Sequence, residues 1–181
     1  MTLTTWPARW PASARDVADG IVNLSKALRD ADTDAVADAV TDLAAQNIRV
    51  EDVYAAMLRT LLEAAHPDGL DGDDIGSVVR DAAARDVGPD AVAPNDLVTV
   101  ILGTLGVHPE PERQVSDDDS QDPDDHREQR QTFAARMSAG PAIRASAVIT
   151  ESLLARIGSS ITDVVTMVVD DIAAAETIEW P

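Results

Sequence analysis

Apolar residues recur along this chain at spacings of three and four, the pattern of helices that each bury one face. In ARDVADGIVNLSKALRD, Val17, Ile21, Leu24 and Leu28 follow one another at intervals of 4, 3 and 4. They form one stripe of an amphipathic helix, with Ser13 as the expected N-cap. A second helix restarts at Thr33 or Asp34, turns Val36, Val40 and Leu43 inward, and ends at Asn47. VEDVYAAMLRTLLEAAHPDG carries the strongest pattern, with Val53, Met57, Leu58, Leu61 and Leu62 apolar. Pro67 and Gly69 stop it.

Two further helices follow. One runs from about Asp73 to Gly88-Pro89, and the next is capped by Asn95. The stretch from Leu97 to Leu105 is apolar nearly all round, which places it at the centre of a bundle. Its β-branched residues would also suit a strand, but no second strand is available to pair with it. Near the C-terminal end, a helix over Ala142–Ile157 stops at Gly158, and Ser159 or Ser160 caps another that runs to about Ala175. These two form a helical hairpin too short to stand alone, expected to dock on the N-terminal bundle or on another copy.

Between the two groups, the pattern vanishes. Residues 108–131 carry nine acids, three arginines and one strong hydrophobe, Val115. Such a segment cannot bury enough surface to offset its ordering entropy. The expected fold is therefore all-α, with about five helices over residues 12–107, a disordered acidic linker over 108–131, and a C-terminal hairpin over 132–181. Similar acid-led openings at VEDVY, ITDVV and PNDLV hint at a repeat. Acids in a helix's first turn are favoured by the dipole, so each can arise independently.

Composition narrows the function classes. The formal charge is −19, from 33 acidic and 14 basic groups, and Lys26 is the sole lysine. Nucleic acid and anionic membranes call for clustered Lys and Arg, so neither is expected to bind through a basic face. Few lysines and many aspartates fit either a salt-rich cytoplasm or coding biased to Arg and Ala. Absence of cysteine excludes disulfides and thiolate chemistry. No apolar run reaches membrane-spanning length, and the N-terminus lacks a signal-peptide pattern. A cytoplasmic location is the expectation.

Candidate chemistry is sparse. His66 and His108 each precede a proline and an acid. Brought together near Asp68, Asp71 and Glu110, they could bind a divalent metal or act as an acid–base pair. The competing explanation is a histidine placed at a helix C-terminus by the dipole, with proline as the stop beyond it. An EF-hand alignment from Asp117 to Glu128 fails, because Asp122 falls where the sharp turn needs glycine. GxSxG, GxGxxG and P-loop motifs are missing. Neither a cofactor nor a metal nor a catalytic residue is expected.

The tryptophans remain. Trp6, Trp10 and Trp180 are the only three, each stands before a proline, and all lie outside the expected helices. A residue before proline is pushed out of the α region, so residues 1–11 read as an extended arm. Trp is enriched at interface hot spots, and proline lowers the entropy lost when an arm docks. The arms either plug grooves of their own bundle or reach a partner. The leading expectation is a non-enzymatic interaction or assembly protein, with a protein partner or a homo-oligomer anchored by Trp6, Trp10 and Trp180. One alternative is an acidic regulator that binds a basic protein surface through Asp117–Asp125. The other is a small metal-dependent enzyme using His66 and His108.

Overall fold

The computed structural model describes residues 5–46, 50–86, 91–107 and 137–178, with side chains as far as Ile172. Among the described residues every regular element is a helix, and there are seven: α1 (Ala12–Asp30), α2 (Thr33–Ala44), α3 (Val50–Ala65), α4 (Gly72–Arg85), α5 (Pro94–Thr104), α6 (Ala139–Ile157) and α7 (Ile161–Ile178). The all-α expectation holds. The acidic linker falls on residues outside the described set.

Local chemistry explains the boundaries. α1 ends on Ala31 in the left-handed region, φ 55°, where Asp32 N–H reaches back to the Ala27 carbonyl at 3.0 Å. Asp32 then caps α2 by accepting from Ala35 N–H at 3.1 Å. Two residues thus close one helix and open the next, which folds α2 back against α1. At Gly20 the two helices come so close that an added Cβ would lie 2.6 Å from Leu43 Cδ2. α4 opens with a capping box: Asp71 accepts from Asp73 and Asp74 N–H, and Asp74 accepts from Asp71 N–H. Asp71 and Asp74 of DGDD are thus cap residues, and Asp73 stands in the helix's first turn. Ser160 Oγ accepts from Asp163 N–H at 3.1 Å and starts α7.

Two expected caps are corrected. Ser13 lies inside α1, because the helix begins directly after Pro11. Asn95 lies inside α5, because Pro94 occupies its first position and starts the helix two residues too early for Asn95 to cap it. The expected end of α2 at Asn47 is outside the described residues, and so is Gly88-Pro89.

The centre of the molecule is also corrected. It belongs to α6, not to α5. α6 buries residues on every side: Ile143, Ala145, Ser146, Ala147, Val148, Ile149, Thr150, Ser152, Leu153 and Leu154. It packs against α1, α2, α3, α4 and α5. α5 buries only Leu97, Ile101 and Thr104. Leu105 is 38% exposed and Val107 49%. The reason is size. Ala145, Ser146, Ala147 and Ser152 let neighbouring backbones approach α6 from several directions, whereas the bulkier run of α5 lies on one flank.

α6 and α7 turn through 113° at Gly158–Ser160, with Gly158 at φ 72°. The C-terminal pair is therefore an open corner. α6 fills the bundle while α7 lies across α1 and α3, and residues from both ends of the chain share one core. Among the described residues, no single helix is long and apolar enough to cross a membrane.

Candidate interaction surfaces

The N-terminal arm is not extended throughout. Trp10 N–H donates to the Pro7 carbonyl at 3.0 Å, so the chain turns between the two tryptophans. Proline restricts Trp6 and Trp10 but leaves Ala8 and Arg9 free to turn. The turn stacks the indoles, with centroids 5.4 Å apart and planes 16° from parallel. Both rings are buried, 8% and 2% exposed. Trp6 Nε1 donates to Asp19 of α1 at 2.6 Å, and Trp10 Nε1 donates to Asp170 of α7 at 2.7 Å. Arg9 pairs with the other Asp170 oxygen. The arm is thus a clasp joining the start of the chain to its last helix, within one molecule. Trp180 lies outside the described residues.

The hydrogen bond from Trp10, with help from Arg9, holds the Asp170 carboxyl below the usual aspartate range. A depressed carboxyl contributes fully above its unfolded value of about 3.9, and that contribution disappears as pH falls through the lower folded value. The clasp should therefore stay shut at pH 5 and slacken only below the ordinary aspartate range. Asp170→Ala should release it at neutral pH. In a Trp180→Phe background, tryptophan emission of the variant should shift to the red relative to its parent. Unchanged emission would refute the clasp.

His66 sits at the end of α3 with its side chain only 6% exposed, and its Nδ1 is 3.3 Å from Asp74 Oδ1. Nε2 is buried without a hydrogen-bond partner. His108, its expected companion, is outside the described residues. Among those described, no group of three or more His, Asp or Glu side chains is placed to hold a metal ion.

Two polar contacts on α6 carry no local motif. Glu151 accepts from Ser25 of α1 and lies 3.8 Å from Arg29. Burial, reinforced by the Glu151 carboxylate, pushes the Tyr54 hydroxyl far above its ordinary range. At the other end of α6, Arg144 donates to Asp86 at 2.9 Å, with the two side chains 15% and 3% exposed. The second Asp86 oxygen accepts from Val92 N–H at 2.6 Å. The one available signal was that Arg144 and Glu151 interrupt an otherwise uncharged stretch of helix.

The Arg144–Asp86 pair underlies a groove of about 320 Å³, near the lower end of the range for ligand pockets. Ala37 and Val40 of α2 form one wall. Gly140, Pro141 and Arg144 of α6 form another, and Ala91, Val92 and Asp96 complete it. Among the described residues the lining is apolar apart from Arg144 and Asp96. No protein-family model, curated protein or solved structure matches this chain.

Proposed function

We propose that this chain is a non-enzymatic interaction protein that binds another protein through its helix faces. The groove between α2, α5 and α6 carries the reading. It is an open, largely apolar trough between α2 and α6, and the buried Asp86 ties Arg144 of one wall to Val92 of another. Preformed apolar concavities with few polar groups are characteristic of binding sites. The apolar end of α5, where Leu105 and Val107 are exposed, offers a second contact surface. The paired tryptophans act here as an internal clasp that braces α1 against α7.

A photo-crosslinking amino acid placed at Ala37, in the groove, should yield a discrete protein adduct in the native host. The same group at exposed Arg156, at the far end of α6, should not. Only uncrosslinked chain from both positions would contradict the reading.

A further inference from the structure

We propose that the occupant of the groove is a basic amphipathic helical segment of another protein, an assignment that rests on the interaction role above. Shape comes first. Two walls of the groove are helix surfaces, and Ala37 and Gly140 are among its smallest residues. Small residues let a third backbone approach closely, and a helix laid along two others seats its ridges in their grooves. The volume accepts one or two large apolar side chains, as an amphipathic helix offers at i and i+3 or i+4.

Charge selects the partner's polar face. Asp96 lines the groove at the start of α5. Asp34 is exposed on α2 three residues before Ala37, on the same face of the helix. Among the described residues Arg144 is the one cation in the lining, and Asp86 balances it. The rim therefore presents net negative charge around an apolar floor, within a chain of formal charge −19. An acidic helix would meet repulsion there, and a neutral one would gain no attraction from the rim. A helix with a leucine stripe flanked by Lys or Arg would match both the floor and the rim.

The probe is a synthetic peptide of about four helical turns, with leucines at helical spacing and lysines elsewhere, titrated against the full-length protein. Two controls accompany it: a peptide of the same composition with the leucine stripe scrambled, and one with glutamates replacing the lysines. The striped lysine peptide should bind, and both controls should bind at least about tenfold more weakly, a difference of roughly 1.4 kcal/mol. Ala37→Arg, at an exposed position, should abolish binding by filling the groove and reversing its charge. Asp96→Asn and Asp34→Asn should each weaken it by about two- to fivefold, as solvent-facing charge pairs do. Replacing Asp117, Asp118 and Asp119 by asparagine should leave it unchanged.

Equal binding of the scrambled lysine peptide would overturn the proposal, since attraction to an acidic chain would then be unspecific. Binding indifferent to Ala37→Arg would overturn it by placing the contact elsewhere. A crosslinked partner at Ala37 combined with no binding of the lysine peptide would overturn the partner's chemistry while leaving the interaction role intact.

Discussion

Asp86→Ala is expected to lower the unfolding free energy by about 3–5 kcal/mol, the usual consequence of removing one member of a buried ion pair. The Asp86 side chain is 3% exposed and satisfies two donors from different parts of the chain, Arg144 Nη2 and Val92 N–H. Alanine leaves the guanidinium facing apolar surroundings with its charge uncompensated. Arg144 Nε already lacks a partner, so little else is available to absorb the loss. Domain stability is commonly about 5–15 kcal/mol, so this single change removes a large share of it. Combining Asp86→Ala with Arg144→Met should recover much of the deficit, because the unpaired charge disappears. Denaturant titration of the parent, Asp86→Ala, Arg144→Met and the double variant measures this. A loss below about 1 kcal/mol for Asp86→Ala would mean that the pair is hydrated like an exposed one.

The second large effect separates α6 from α5. Ile149 has no exposed surface and lies on the helix that the other helices surround. Ile149→Ala should cost about 2–5 kcal/mol, from lost transfer energy and the cavity left behind. Leu102 is half-buried in α5 and stands apart from the core cluster. Leu102→Ala should cost less than about 1 kcal/mol, since a side chain that keeps water contact loses little on truncation. Equal losses at the two positions would return α5 to the centre.

These two helices also show how far the sequence could be read. Helix positions were plain, because stripes such as Val17, Ile21, Leu24 and Leu28 are local and periodic. The choice of central helix was not. By hydrophobicity α5 was the stronger candidate, yet centrality depends on how closely neighbours can approach. That property comes from Ala145, Ser146, Ala147 and Ser152 acting together with the surfaces they meet. Caps show the same limit. Ser160 was readable, while Ser13 and Asn95 lost their places to prolines just before them.

The candidate surfaces were less accessible still. That the tryptophans stood outside the helices was evident, and docking into the chain's own bundle was one of two open outcomes. What Trp10 meets was not evident, since Asp170 lies at the far end of the sequence and looks like any other exposed acid. The Arg144–Asp86 pair joins positions 58 residues apart with no spacing rule between them. Each partner is defined only by the fold that brings it there.

Native-state hydrogen exchange tests most directly the claim that this chain closes around α6. Amides of residues 143–154 should exchange only through global unfolding, with the same free energy and denaturant dependence as the most protected amides of α3. Exchange of α6 through a separate, lower-energy opening, with α3 still protected, would contradict it. The C-terminal segment would then be an accessory module resting on a bundle that stands without it.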